Sequence, residues 1–181
     1  MATSKLKIGS GAPGFNLPAT NGKTYSLESF KDSKALIVIF SCNHCPYVQA
    51  YEDRIIALQN DYKDKGVSVV AINANDLTNY PEDSFDHMVE RAKSKKFNFS
   101  YLRDKDQKIA EAYGATHTPE TFLFDSNRKL VYHGKIDDNW REPEKVVSKY
   151  LKSAIDELLE GKEVSVPETF SIGCTIKWKA A

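Results

Sequence analysis

Hydrophobic positions along the chain fall into blocks of two periods. Ala35-Leu36-Ile37-Val38-Ile39-Phe40 is an unbroken apolar run rich in β-branched residues, the pattern of a strand buried on both faces. Val67-Ser68-Val69-Val70-Ala71-Ile72-Asn73 has the same character. Between them, Pro46 sits where a helix can start, the segment to about Lys65 reads as that helix, and Gly66 supplies a stop. Strand, helix and strand in this order predict a right-handed parallel crossover.

The pattern continues with a helix from Asp83 or Ser84 to about Lys96, with Phe85, Met88, Val89 and Ala92 on one face. Its Arg91, Lys93, Lys95 and Lys96 suit a helix C-terminus and read as a solvated face. A short strand at Asn98 to Leu102 and a helix from Asp106 to Tyr113, closed by Gly114, follow. Thr118 to Asp125 is a second buried strand, opened by Pro119. The turn Ser126 to Lys129 joins it to Leu130 to Lys135 as an antiparallel hairpin at the sheet edge. The last helix is expected from Pro143 to Gly161, with Val146, Val147, Tyr150, Leu151, Ile155, Leu158 and Leu159 at helical spacing. Upstream, Asn21-Gly22 between Phe15–Leu17 and Thr24–Leu27 predicts a β-hairpin, then a helical turn around Leu27–Phe30. The tail 162–181 carries Val164, Val166, Phe170, Ile172, Ile176 and Trp178. It is too apolar for a free linker and is expected to pack back, bringing Cys174 with it. The order predicts an α/β fold, a central mixed sheet flanked by helices.

At 181 residues the chain is expected to form a single domain. Its core would be about 33–160, with 1–32 an N-terminal hairpin extension and 161–181 a C-terminal tail. The 25 basic and 25 acidic residues cancel, which removes any electrostatic case for nucleic acid or an anionic membrane. Met1 to Gly9 has no apolar signal region, and the longest apolar run is far short of the roughly 20 residues that span a bilayer. A cytoplasmic protein is expected.

Three cysteines, Cys42, Cys45 and Cys174, are too few and too odd in number for a disulfide scaffold. Cys42-Asn43-His44-Cys45 beside a βαβ pattern is redox-active or metal-binding. Near a helix N-terminus, free N–H groups and the helix dipole favour a thiolate, which assigns attack to Cys42 and resolution to the more shielded Cys45. A charged His44 would stabilise that thiolate further. A zinc site from Cys42, His44, Cys45 and Cys174 is disfavoured, because adjacent His44 and Cys45 make awkward joint ligands. No metal and no cofactor are expected. Tyr47 and Tyr51 read as helix packing, and Arg141 as a surface ion pair.

A Cys-x-x-Cys at the end of a central strand, with Thr118-Pro119 opening a later one, resembles the thioredoxin superfamily. The N-terminal hairpin and the string Gly114 through Pro119-Glu120-Thr121-Phe122-Leu123-Phe124-Asp125 resemble its peroxiredoxin-like and TlpA-like (AhpC/TSA-type) branch. Cys42-Asn43-His44-Cys45-Pro46-Tyr47-Val48 with Ser171-Ile172-Gly173-Cys174 is similar to a peroxiredoxin-like group, over roughly residues 5–178. The resemblance implies a thioredoxin-like fold and a cis-proline at Pro119 facing the thiols, with Thr118 beside it. His44 resembles the histidine of Cys-Gly-His-Cys and Cys-Pro-His-Cys centres.

Two of the usual supports are missing: Ser41 stands where thioredoxins carry Trp, and Leu36 where they carry a buried acid. Glu120 or His117 is the candidate proton acceptor for Cys45 in its place. The peroxidase pattern Pro-x-x-x-(Thr/Ser)-x-x-Cys fails from both cysteines. Counting back meets Cys42 and Val38 from Cys45, and Ile39 and Ala35 from Cys42. The expected function is thiol-disulfide exchange through Cys42 and Cys45. Its substrates would be thiol or disulfide proteins or small thiols, and its electrons would come from another thiol system. The alternatives are a peroxide-reducing antioxidant enzyme and a non-catalytic binding protein. Cys174 has two readings: a resolving thiol if the tail folds over the site, or an inert buried thiol, which is preferred.

Overall fold

The computed structural model describes residues 6–181. Residues 1–5, part of the N-terminal extension, lie outside the described residues. Strand β1 (Asn16–Pro18) pairs antiparallel with β2 (Thr24–Ser26) across Asn21-Gly22, as the dipeptide predicts. A five-stranded sheet follows, built from β3 (Ala35–Ser41), β4 (Val67–Asn73), β5 (Ser100–Arg103), β7 (Glu120–Phe124) and β8 (Leu130–Gly134). Its order is β5-β4-β3-β7-β8, with β5, β4 and β3 parallel and the β7–β8 hairpin antiparallel.

Central β3 is buried at every position, which explains why its sequence shows no alternation. Leu36, Val38 and Phe40 face one layer with Val70, Ile72, Phe122 and Phe124. That layer is covered by α3 (Lys108–Tyr113) and the N-terminal hairpin. Ala35, Ile37 and Ile39 face the other layer, against Tyr51 and Ile55 of α1 (Pro46–Tyr62) and Leu151 and Ile155 of α4 (Tyr150–Leu159). Helix α2 (Phe85–Ser94) places Met88 on Ala71 and Tyr101, on that same side. Among the described residues, no helix is long and apolar enough to cross a membrane.

Some boundaries differ from the sequence expectation. Helix α1 ends at Tyr62 and tightens into a 3-10 turn over Lys63–Lys65 before Gly66, whose φ of 80° ends it. Helix α3 starts at Lys108 because Gln107 is left-handed, with φ 66°. The last helix begins at Tyr150 instead of Pro143. The Asp138 carboxylate accepts the Val147 and Ser148 N–H groups, holding that stretch off the helical path and leaving Val147 86% exposed.

The tail packs back only in part: Val164 and Ile176 are buried, whereas Phe170 is 87% exposed. Its course is fixed by backbone bonds to the sheet end, with Asp76 N–H donating to Lys177 O and Ile176 N–H to Thr116 O. It also forms β9 (Cys174–Thr175), which pairs antiparallel with β6 (His117–Thr118). The fold thus carries Cys174 of the tail to the C-terminal end of β3.

Candidate active site

Strand β3 delivers Cys42 to the sheet end, and Cys45 is the N-cap of α1, with Pro46 next in the helix. Cys42 is 2% exposed and Cys45 0% exposed. The Thr118–Pro119 peptide bond is cis. Thr118 touches both thiols: its Oγ1 lies 3.5 Å from Cys42 Sγ and its carbonyl oxygen 3.4 Å from Cys45 Sγ. Register places Cys174 opposite Thr118, and Cys174 Sγ lies 2.8 Å from Cys45 Sγ. Gly173 permits that approach, since a Cβ there would stand 2.1 Å from the Thr118 carbonyl oxygen. Cys174 is half-exposed, not buried within a packed tail as the preferred sequence reading had it.

The loop between the thiols is clamped. Buried Asp83 accepts the Asn43 N–H at 2.6 Å, Asn73 Nδ2 at 3.2 Å and Asn75 Nδ2 at 3.0 Å. Tyr101 OH donates to Asn43 Oδ1, and Gln49 Nε2 to Asn43 O. The His44 ring stacks on Tyr80 with centroids 5.3 Å apart. His44 Nδ1 approaches Asp83 Oδ2 at 2.5 Å, although not at the angle of a hydrogen bond.

Charge distributes unevenly among the sulfurs. Cys45 is held down to about 4, first by the hydrogen bond from Cys42, against burial, and further by Cys174 and the Val48 backbone. The Val48 N–H draws charge without closing a formal capping bond. Cys42 is pushed well up by the same bond and by burial, with Asp83 adding to the rise and Thr118 opposing it. Burial, then the bond to Cys45, pushes Cys174 up to about 11. The lowering at Cys45, which occupies the helix cap, and the raising at Cys42 favour negative charge on Cys45 over Cys42, where the sequence expectation places it.

A second correction concerns the proton acceptor. Glu120 is committed to Thr116, accepting its N–H at 3.1 Å and its hydroxyl at 3.2 Å, and it faces His133 at 3.6 Å. His117 Nδ1 pairs with Thr116 Oγ1 at 2.8 Å. Neither is hydrogen-bonded to a thiol. The carboxylate that acts on the site is Asp83, which the sequence offered only as a helix cap; Ser84 fills that place.

Tyr51 packs as expected and donates to Asp137 Oδ1 at 2.7 Å. Tyr47 packs as well, against Trp140 with centroids 4.2 Å apart, and Arg141 lies over that indole at 5.1 Å in place of the expected ion pair.

Cys42, His44 and Asp83 present ligand atoms within 4.8 Å of one another, the group that could hold a metal ion. It differs from the Cys42, His44, Cys45 and Cys174 set weighed from sequence. The Asp83 oxygens already serve three N–H donors, so the carboxylate acts here as a hydrogen-bond hub. A polar cleft of about 380 Å³ opens beside His44, lined by Glu82, His87, Glu90 and Arg91.

Comparison with known proteins adds three likenesses and a family. A family model described as Redoxin matches residues 7–151. The chain is 27% identical over 147 residues to the thiol-disulfide oxidoreductase ResA of Bacillus thuringiensis subsp. konkukian, covering 80% of this chain and 79% of that protein. The crystal structure of a hypothetical protein from Sinorhizobium meliloti 1021 superposes with TM-score 0.92 at 40% identity, over 98% of each chain. The thioredoxin domain of a Bacteroides vulgatus thiol-disulfide oxidoreductase superposes with TM-score 0.61 at 22% identity, over 71% of this chain and 89% of that one. The fold is thioredoxin-like.

Proposed function

The chain belongs to the redoxin family, and on that premise we propose that it works as a thiol-disulfide oxidoreductase through Cys42 and Cys45. One observation carries the assignment of these residues. Both thiols meet at the end of β3 against Thr118, with Cys45 on the helix cap.

Cys42 is 2% exposed and Cys45 0%, which favours Cys42 as the sulfur a substrate reaches. A substrate thiolate attacks Cys42 Sγ, the Cys42–Cys45 bond breaks, and Cys45 leaves as thiolate. A leaving thiol of low pKa departs faster, and Cys45 is the one held down to about 4. A second substrate thiolate then attacks the substrate sulfur in the mixed disulfide, releasing Cys42, which takes up a proton. The substrate dithiol has become a disulfide and two electrons have passed to the protein.

The steps are reversible. Stabilising the Cys45 thiolate stabilises the reduced form, which favours the direction that oxidises the substrate. The hydrogen bond to Cys45 and burial keep the released Cys42 protonated, and the Asp83 charge adds to both. Substrates are thiol-bearing proteins, as the likeness to thiol-disulfide oxidoreductases supports. A cellular thiol system exchanges with Cys42 to close the cycle, and we place that cycle in the cytoplasm.

The test is an insulin-type turbidity assay with a mixed-disulfide trap. Cys42→Ser is expected to abolish exchange, and Cys45→Ser to accumulate substrate bound to Cys42. Full activity in Cys42→Ser would end this reading.

A further inference from the structure

We infer that Cys174 is a third redox cysteine, forming a disulfide with Cys45 in exchange with the Cys42–Cys45 bond. The inference rests on the thiol-exchange reading above and extends it to the tail.

Three features hold Cys174 in place. Strand register sets it opposite Thr118, the residue against which both other thiols lie. Gly173 presses on the Thr118 carbonyl, where any Cβ would force the strands apart. The residues that follow are tied down, with Ile176 N–H donating to Thr116 O and Lys177 N–H to Asn75 Oδ1. The resulting separation of 2.8 Å between Cys174 Sγ and Cys45 Sγ leaves under about 1 Å of movement to the ~2.05 Å of a disulfide. Exposure also ranks the three: Cys45 at 0% and Cys42 at 2% lie beneath the half-exposed Cys174.

The exchange needs no outside oxidant. Starting from the Cys42–Cys45 disulfide, the Cys174 thiolate attacks Cys45 Sγ. The Cys45–Cys174 bond forms, the Cys42–Cys45 bond breaks, and Cys42 leaves with the electron pair and takes up a proton. The three sulfurs hold one disulfide and one thiol before and after. Cys45 is common to both pairs, so the oxidising equivalent shifts from beneath Cys42 to beneath the tail. A small thiol reductant can then attack the accessible Cys174 sulfur, while protein substrates meet Cys42. Electrons would thus enter and leave at different sulfurs.

The experiment oxidises the full-length protein with glutathione disulfide, quenches in acid, blocks free thiols and maps disulfide peptides by mass spectrometry. Wild type is expected to give both Cys42–Cys45 and Cys45–Cys174 peptides. Cys42→Ser is expected to keep the Cys45–Cys174 peptide, and Gly173→Ala, which retains all three thiols, to lose it. A Cys42→Ser protein whose Cys45 and Cys174 stay unlinked would overturn the inference. Failure of Cys174→Ser to form Cys42–Cys45 would instead strike the underlying exchange reading, so the two failures are told apart.

Discussion

Replacing Asp83 with Asn separates its two effects, on stability and on thiol reactivity. The wild-type carboxylate is fully buried. Its Oδ1 accepts from Asn43 N–H and Asn73 Nδ2, and its Oδ2 from Asn75 Nδ2. An Asn at this position keeps one carbonyl oxygen but turns an NH₂ toward the NH₂ of Asn75. Asn75 is not free to flip, because its Oδ1 takes the Lys177 N–H at 2.9 Å. One buried donor is left unsatisfied at a cost of about 1–3 kcal/mol, and the remaining bonds lose charge assistance worth about 1 kcal/mol each. Asp83→Asn is therefore expected to lose roughly 3–5 kcal/mol in denaturant unfolding.

Reactivity moves the other way. Removing the negative charge removes one cause of the raised Cys42 pKa, so Cys42 alkylates faster near neutral pH. Site-resolved iodoacetamide labelling reads this directly. General loosening would speed all three cysteines together, whereas loss of the Asp83 field singles out Cys42. An unchanged or slower Cys42 rate, or a stability loss under about 1 kcal/mol, would refute the hub assigned to Asp83.

Four further outcomes are expected. The reduced protein carries one thiolate, on Cys45, visible in ultraviolet absorbance between about pH 5 and 8 and lost toward pH 4; no thiolate below the ordinary ~8.5 would contradict it. By linkage, the Cys45 contribution to stability is full above ~8.5 and falls as pH drops through about 4, while those of Cys42 and Cys174 are full below ~8.5 and fall above it. Arg54 donates to Asp137 Oδ2 at 2.7 Å and to the carbonyls of Asn139 and Trp140; Arg54→Ala leaves the buried Asp137 with the Tyr51 hydroxyl and the Asn139 N–H but no countercharge, costing about 3–5 kcal/mol, and changes tryptophan fluorescence as Trp140 leaves Tyr47. Phe122, packed edge-on against Phe40 and Tyr113, is expected to cost about 3–5 kcal/mol when cut to Ala, lowering the denaturant midpoint at constant m.

What the sequence made legible was local. Two-sided burial writes itself as the continuous apolar run at Ala35 to Phe40, Asn21-Gly22 marks its own hairpin, and Pro46 marks the start of α1. Long-range contacts were hidden. Asp83 reaches Asn43 across 40 residues, and Cys45 meets Cys174 across 129. Strands β6 and β9 are two residues each, too short to carry a period. The start of α4 depends on the Asp138 side chain binding residues nine and ten positions on, a contact no helical pattern encodes. Nor does the sequence show which thiol takes the helix cap, which falls on the second cysteine, Cys45.

The central claim is that Cys42 and Cys45 form a redox couple whose reduced form is stabilised by the Cys45 thiolate. Its direct test is the reduction potential of that couple, measured against glutathione in the Cys174→Ser protein so that only one disulfide can form. The account predicts a two-electron transition well above the ~−270 mV of thioredoxin, toward the −120 to −180 mV range of strong thiol oxidants. A potential at or below about −270 mV, or no two-electron transition, would contradict it.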